Sequence, residues 1–476
     1  MRFSTPLNVR RHGYAYETYL QDNWKVTPKL TLNLGLRYEY QSPYVEQNDR
    51  AMNFIIEPED SRFGTIVPTG SGVEGRSFRK RDLNDWGPRI GLAYQATDKT
   101  VIRAGYGVFY VATFRLPVLA DPTANPPFYL QNDIPSHVAS STSQVRIQDG
   151  VPADALNPDV ITGRSLVGVW PFSFPNGTTN QWNINIQQSL PGNSLVSVAY
   201  VGSNTVNTES GVNLNQPEPG PGPNNPRRWF PQFANINTNP SVGGSNYQGL
   251  EMKFERRFNK GFSILSGYTW SKTLVKQLGQ RTSYWHLAPE KTTSRQHLPQ
   301  RFFFAGVWDL PFGSGRKYAT QGPLSKIVGG WQLSPIFEAQ RGLPLSPSVA
   351  GNPANTTGGQ RPNRIGDGNL PRSERTPERW FDVGAFAVPD RFTFGNSAAW
   401  ILEGPGLVNL DMMISRTFEL GERLSLDFRT EFFNLFNEAH FNFPSGTINR
   451  PAAGRISSTM ECCPARQVQF GMKLIF

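Results

Sequence analysis

Strict alternation of apolar and polar residues is the feature that most narrowly limits how this chain can fold. In KLTLNLGLRYEY (residues 29–40), leucine or tyrosine occupies every second position from Leu30 to Tyr40, and the positions between them hold threonine, asparagine, glycine, arginine and glutamate. Alternate residues of a β-strand face the same side, so this segment predicts a strand with one apolar and one polar face. Eleven such residues, tilted by about 45°, rise about 26 Å, close to the apolar band of about 25 Å in an outer-membrane barrel.

Twelve further segments show the same period of two. Each places apolar residues at positions i, i+2 and i+4 rather than at the helical spacing, and their Thr, Tyr, Phe and Val residues favour strands. We therefore predict an all-β fold with about thirteen strands. The thirteen segments are residues 16–24, 29–40, 88–97, 100–110, 180–190, 194–202, 247–258, 261–272, 300–310, 331–340, 407–418, 423–436 and 466–476.

The connections between these segments alternate in length. Short joins such as KVTP, TDK, PGN, NKG and ELGE alternate with long segments rich in Pro, Gly, Asn and Ser. A transmembrane antiparallel β-barrel has this rhythm because its periplasmic turns are short and its extracellular loops are long. One join, residues 311–330, is long where a short turn is expected. The predicted extracellular loops are residues 41–87, 111–179, 203–246, 273–299, 341–406 and 437–465.

The charges support this assignment of faces. A charge facing lipid near the bilayer midplane costs about 2–4 kcal/mol, whereas a charge facing the lumen meets water or an opposite charge. The polar faces carry Arg103, Glu251, Lys253, Glu255, Asp309, Glu338, Asp427, Arg429 and Glu431. Rings that lie towards strand ends are expected to form interfacial girdles, although they could also cap a soluble core. These rings are Trp24, Tyr38, Tyr40, Tyr268, Trp270, Trp308 and Trp331.

Several other classes of protein fit poorly. No run approaches the roughly 20 apolar residues of a membrane helix, and the first twenty residues have no apolar core of a signal peptide. The net charge of +10 could indicate nucleic acid, but the densest basic cluster is only RKR, residues 79–81. We therefore expect no nucleic-acid partner.

The residues that usually carry catalysis or bind metals lack the necessary spacing. The five histidines form no HExxH pattern, no GxSxG is present, and GYG (residues 105–107) falls within a predicted strand. Asp411 and Glu431 are better explained as lumen charges than as hydrolase carboxylates. The adjacent Cys462 and Cys463 are interpreted as loop thiols rather than as a metal or redox site. We predict no enzyme activity, no metal and no cofactor.

The chain ends on an aromatic residue within a well-patterned strand, RQVQFGMKLIF. This ending resembles the C-terminal recognition signal of bacterial outer-membrane proteins, which the barrel assembly machinery reads. The resemblance implies a barrel-assembly signal made of Phe470, Met472, Leu474 and Phe476.

Longer stretches resemble the TonB-dependent receptors of the bacterial outer membrane. YETYLQDNWKVTPKLTLNLGLRYEY resembles their mid-barrel region. NYQGLEMKFERRFNKGFSILSGYTWSK, FRTEFFNLFNEAHFNFP and the terminal strand resemble the Oar-like branch. The resemblance implies a 22-stranded barrel closed by a plug domain, with a segment that contacts the inner-membrane TonB complex.

The plug domain, the signal peptide and the N-terminal strands are not recognisable here. About thirteen strands is an odd number, and closing them on themselves would pair the first and last strands in parallel, whereas bacterial barrels are antiparallel with an even number of strands. We therefore expect residues 1–476 to be the C-terminal part of a longer receptor, with about nine strands before it.

The resemblance implies uptake of an extracellular ligand across the outer membrane, with outer-membrane lipid and the TonB complex as partners. Siderophores, oligosaccharides, peptides and cobalamin all stay open as ligands. The alternatives are another outer-membrane barrel, either a passive porin or a barrel enzyme, and a secreted soluble β-protein that binds carbohydrate.

Overall fold

Thirteen long strands form one antiparallel sheet in which every strand pairs with its neighbours along the chain. The computed structural model describes residues 2–5, 9–70, 76–77, 79–111, 122–133, 150, 157, 166–281 and 289–476. The strands are β1 (Ala15–Thr27), β2 (Leu30–Gln41), β3 (Trp86–Gln95), β4 (Thr100–Val111), β5 (Gly177–Leu190), β6 (Ser194–Thr208), β7 (Gly243–Asn259), β8 (Phe262–Gln277), β9 (Gln300–Asp309), β10 (Trp331–Gln340), β11 (Leu407–Glu419), β12 (Ser425–Phe433) and β13 (Gln467–Ile475).

All thirteen predicted strands are present, and the differences lie at their ends. The pattern predicts a strand through residue 436, but β12 ends at Phe433 because Asn434 takes a left-handed conformation with φ of 51°. In contrast, β8 continues past the predicted end at residue 272 to Gln277. The sequence predicted that Tyr268 and Trp270 lie towards the end of β8. They lie in its middle instead.

The strand registers place most of the apolar residues of the thirteen strands on one face. Residues that pair directly across neighbouring strands face the same side of the sheet. One apolar row runs across β2 to β5 through Leu34, Ile90, Tyr106 and Trp182. One polar row runs across β4 to β9 through Arg103, Asn185, Ala199, Glu251, Thr269 and Arg301.

The predicted two-faced sheet is thereby confirmed. All nine charged residues assigned to the polar face lie on it, and the seven predicted interfacial rings lie on the apolar face. Charged residues also occur on the apolar face, among them Asp22, which pairs with Leu34 on the edge strand β1, and Arg416, which pairs with Trp331.

The connections at the two ends of the sheet differ in length, as predicted. One end has turns of two to five residues, at 28–29, 96–99, 191–193, 260–261 and 420–424, and the connection 310–330, which contains the helix α1 (Gly322–Val328). Asn193 and Lys260 adopt φ of 58° and 53° in two of the short turns. The opposite end has six long connections: L1 (42–85), L2 (112–176), L3 (209–242), L4 (278–299), L5 (341–406) and L6 (434–466).

The sheet is open along both edges. Within the described residues, β1 pairs only with β2, and β13 pairs only with β12. Every residue of β1 is exposed to solvent. Both edge strands therefore present unpaired backbone N–H and C=O groups along their outer sides.

Short elements give the long connections their own structure. Short strands form the pairs Arg2–Ser4 with Gln131–Asp133, Arg11–His12 with Val45–Glu46, Met52–Phe54 with Ile66–Pro68, Pro344–Leu345 with Leu402–Glu403, and Asn363–Arg364 with Phe386–Ala387. Ile236–Thr238 pairs with both Val167–Val169 and Val212–Asn213, and Glu290–Thr293 pairs with β8. Single 3₁₀ turns span Pro122–Ala124, Asn225–Arg227, Arg372–Glu374 and Val383–Ala385. None of the helices in the described ranges is both long enough and apolar enough to cross a membrane.

Candidate functional site

Opposite charges lie next to each other on the polar face of the sheet. Arg37 contacts Glu17 on the adjacent strand and approaches Glu39 within 2.6 Å. Arg301 Nε lies 2.7 Å from Glu338, across the β9–β10 pair. Lys253 and Glu255 are 2.9 Å apart, and Arg429 and Glu431 are 3.4 Å apart. These partly exposed pairs contribute little to stability, but they make the face a charged surface suited to contact with water.

The first three long connections meet in a buried apolar cluster, which we call hub 1. Its centre is Phe54, which is fully buried and packs edge-on against Phe230 and Phe233 at centroid distances of 5.0 and 5.2 Å. L1, L2 and L3 each contribute, so hub 1 ties together segments that lie far apart in the sequence. Its residues are Phe54, Val167, Val169, Leu214, Phe230, Phe233 and Ile236.

Buried asparagines fix the backbone around hub 1. The Asn215 side chain is fully buried; its amide donates to the carbonyls of Phe230, Phe233 and Ala234, and its oxygen accepts from the Phe230 N–H. Asn53 forms a similar two-way pair with the backbone of Trp170, at 3.0 and 2.9 Å. These side chains supply hydrogen bonds that irregular backbone cannot obtain from a strand partner.

A second apolar cluster, hub 2, joins L5 to L6. Phe381 is almost fully buried and packs edge-on against Phe386 at a centroid distance of 6.2 Å. Its residues are Val349, Phe381, Ala385, Phe386, Leu402 and Ile448.

Hydrogen bonds between L3, L4 and L5 join the two hubs into one loop layer. Arg227 Nη2 in L3 donates to the Asn355 carbonyl in L5 at 2.6 Å, and Asn355 Nδ2 donates back to the Gly220 carbonyl at 2.8 Å. Gln280 Nε2 in L4 donates to the Gly395 carbonyl at 2.8 Å. The described parts of the six connections therefore form one connected surface over the end of the sheet.

A cluster of charged side chains lies where L5 meets β10 and β11, at the strand ends next to the loop layer. Arg341 binds both oxygens of Glu403 at 2.7 and 2.9 Å, and Arg375 Nη2 approaches the same carboxylate at 3.1 Å. Burial alone would raise the pKa of Glu403, but the hydrogen bonds from Arg341 and then Arg375 outweigh it and lower the pKa. The cluster borders a cavity of about 340 Å³ that is also lined by His297 and Trp400.

A larger cavity of about 690 Å³ opens between the tops of β6, β7 and β8. Amide, hydroxyl and amino groups dominate its polar lining, with Asn204, Asn246, Lys276 and Lys291 among them. Both cavities are concave surfaces of the loop layer at which a small molecule could be held.

Asp85, at the end of L1, carries a carboxyl group that responds to pH near neutrality. Burial, with Asp82 and Glu39 nearby, raises its pKa from 3.8 to about 6, although Asn176 Nδ2 donates to it at 2.6 Å. Between these two values the folded chain retains a proton that the unfolded chain loses. The proton on Asp85 therefore stabilises the folded chain fully below pH 3.8, and this stabilisation is lost as the pH rises through about 6.

We expect the contact between L1 and L2 to resist limited proteolysis better at pH 5 than at pH 7.5. Asp85→Asn should remove that difference. Asp60 lies in the same connection, and its pKa is lowered to about 2 by the hydrogen bonds from Arg62, so Asp60→Asn should leave the difference in place. Equal protection of the unsubstituted protein at both pH values would contradict the assignment.

The predicted assembly-signal residues lie on the last strand and just beyond it. Phe470, Met472 and Leu474 pair with Thr430, Phe428 and Leu426 on the apolar face, and they are 68, 73 and 53% exposed. Phe476 follows β13 and is 95% exposed. The packing of this chain therefore gives Phe476 almost no support.

Within the part of the chain that the structure describes, the cysteines and histidines do not form a recognisable metal site. Cys462 and Cys463 are free thiols in L6, and the hydrogen bond between the two thiols, together with burial, raises the pKa of Cys463 to about 11. Among the described residues, no three His, Cys, Asp or Glu side chains are arranged to hold a metal ion. His137 and His286 lie outside the described residues.

The sequence matches the family described as outer membrane beta barrel domain over residues 2–469. No curated protein sequence matches the chain. Among solved structures, it is similar to the ferripyoverdine receptor of the outer membrane of Pseudomonas aeruginosa, at 11% identity and a TM-score of 0.47, covering 98% of this chain and 39% of the receptor.

Two Escherichia coli structures give comparable matches. They are the outer membrane transporter YddB (10% identity, TM-score 0.45, 97% of this chain and 45% of the transporter) and the ferric-catecholate import receptor Fiu (13%, 0.43, 98% and 44%). The chain thus spans less than half the length of each of these three structures.

Proposed function

Because the chain belongs to the outer membrane β-barrel domain family and is located in the bacterial outer membrane, we propose that it is the C-terminal part of a TonB-dependent receptor. This receptor takes up a ligand from outside the cell. The apolar face of the sheet contacts lipid, the charged face lines the lumen, and the loop layer is extracellular.

The observation that carries this proposal is the open, odd-numbered sheet. Lipid cannot satisfy the unpaired backbone groups of an exposed strand edge, so a sheet embedded in a membrane must be closed. β1 and β13 run in the same direction, and pairing them would create a parallel seam. About nine further strands before β1 would close an antiparallel barrel of 22 strands, an even number of the kind that bacterial barrels have.

In this mechanism the loop layer captures the ligand, and a plug domain preceding β1 controls its passage. Force from the TonB complex acts on that N-terminal part, and the ligand then moves along the charged lumen face. The lining of the cavity between β6, β7 and β8 favours a ligand rich in hydroxyl or anionic oxygen atoms, because Lys276 and Lys291 supply positive charge beside neutral donors.

We also propose that Phe470, Met472, Leu474 and Phe476 form the signal read by the barrel assembly machinery. These side chains project from an edge strand on its lipid side, where a second protein can reach them before the barrel closes.

The proposed orientation predicts which end of the sheet can be labelled from outside intact cells. In a background of Cys462→Ser and Cys463→Ser, we expect Ser373→Cys in L5 to react with a membrane-impermeant maleimide. The matched variant Asp98→Cys, in the turn at the other end, should react only after the outer membrane is breached. Both positions are exposed. The reverse pattern would show that the loop layer faces the periplasm.

A measurement of ionic conductance distinguishes the proposed receptor from a passive porin. The proposed full-length receptor, inserted in a planar bilayer, should show no steady conductance because its plug closes the lumen. Steady conductance would favour the porin.

A further inference from the structure

The connection 310–330 is the exception among the turns at the periplasmic end of the sheet, and its helix exposes apolar side chains. Leu324 and Ile327 of α1 are 59 and 66% exposed. They lie three positions apart and so share one face of the helix. The backbones of Gly313 and Gly329 approach so closely that a Cβ atom on Gly313 would lie 2.6 Å from the Cα of Gly329. This close contact folds the connection into a compact unit.

Hydrogen bonds hold α1 against the lipid side of the sheet. Arg416 lies on the apolar face of β11, and its guanidinium donates to the carbonyls of Ile327 and Lys326 at 2.7 and 2.5 Å. Trp331 Nε1, on the same face of β10, donates to the Ile327 carbonyl at 2.9 Å. Arg416 also stacks over the Phe418 ring, with 4.3 Å from its Cζ atom to the centroid. The C-terminal end of the helix is therefore anchored on the apolar face, which, under the proposed function, is the outside of the barrel wall near the periplasmic boundary.

An apolar depression of about 560 Å³ lies beside the anchored helix, on the same lipid-facing surface. Gly306 pairs with Ile264 and leaves its floor without a side chain, and Trp308 and Leu333 form the end nearer α1. Trp331, whose indole N–H binds the Ile327 carbonyl of the helix, lies two residues before Leu333 on the same face of β10.

The charge of the connection complements a phosphate group. Residues 311–330 contain Arg316, Lys317 and Lys326 and no Asp or Glu. Arg316 is partly neutralised by Asp309 at 3.3 Å. The facing turn, 420–424, adds one acid and one base, Glu422 and Arg423. Basic side chains at a membrane surface attract anionic lipid.

We propose that this surface binds a phospholipid from the inner leaflet of the outer membrane. Its anionic headgroup lies beside Lys317 and Lys326, and one acyl chain lies in the depression bordered by Trp308. Leu324 and Ile327 insert beside it, so α1 is an interfacial helix. The long connection then has a physical reason: it extends the barrel's contact with lipid beyond the strands themselves.

The test uses the protein extracted from outer membranes and reconstituted in nanodiscs that contain photoreactive palmitoyl-oleoyl-phosphatidylglycerol. We expect the lipid to crosslink to peptides spanning residues 322–328. Native mass spectrometry should show retained phosphatidylglycerol, and the double variant Lys317→Glu, Lys326→Glu should lower retention about tenfold.

Two controls keep the proposal falsifiable. Lys99→Glu makes the same charge reversal in the turn 96–99, away from α1, and should leave retention unchanged; retention of heat resistance by each variant shows that the barrel is assembled. The proposal is overturned if the double variant retains as much phosphatidylglycerol as the unsubstituted protein, or if Lys99→Glu reduces retention equally. Lipid crosslinks at other lipid-facing residues but none at residues 322–328 would also overturn it.

Discussion

Replacing Phe54 with alanine should destabilise hub 1 by about 3–5 kcal/mol, the usual cost of removing a buried phenylalanine. The ring is fully buried and contacts two other phenylalanines, so its loss leaves a cavity at the point where L1, L2 and L3 meet. We expect backbone amide exchange in residues 212–238 to accelerate strongly.

The strands should be unaffected, because hub 1 lies outside the sheet. Heat resistance of the assembled barrel should therefore stay near that of the unsubstituted protein. Leu83→Ala removes an apolar side chain from the same connection, but Leu83 is 58% exposed, and this variant should exchange normally. Unchanged exchange in Phe54→Ala would show that hub 1 does not hold the loop layer together.

Phe476→Ser, made in the full-length receptor that we propose, should lower the amount of assembled barrel several-fold. Burial of a phenylalanine is worth roughly 1.5–3 kcal/mol, but Phe476 is 95% exposed and packs against almost nothing in this chain. A large effect must therefore arise during assembly and not from lost packing. The barrel that does form should keep near-normal heat resistance, as measured by the difference in gel mobility between unheated and boiled samples.

Ile475→Ser is the matched control. Ile475 is also an apolar residue at the terminus, but its register places it on the polar face, opposite Ser425. It should assemble like the unsubstituted protein. Equal assembly of Phe476→Ser would reduce Phe476 to one more lipid-facing side chain, and an equal defect in Ile475→Ser would show that any apolar loss at the terminus is damaging.

The strands were predictable because a period of two is a local property. In β2, the sequence from Leu30 to Tyr40 determines both the strand and its two faces without reference to any partner. The registers of β3 and β4 then follow from matching apolar faces across short turns.

The loop layer was not predictable for the opposite reason. Phe54 meets Phe230 and Ile236 across more than 170 residues, and none of the three lies in a periodic segment. Buried Asn215 looks like any other loop asparagine until the backbone carbonyls around it are known. The helix α1 had a weak signal in the apolar residues Leu324, Ile327 and Val328, whose spacing is helical, but seven residues are too few for that pattern to be decisive.

The order in which every strand lies beside its neighbour in the chain has a consequence for the time course of folding. Pairing two strands across a turn of two to five residues closes a small loop, which costs little chain entropy and is fast. Hub 1 instead requires segments such as Met52–Phe54 and Ile236–Thr238 to meet across more than 180 residues of chain. We expect the hairpins to form first. The loop layer should pack last, after the paired strands have brought its segments to the same end of the sheet.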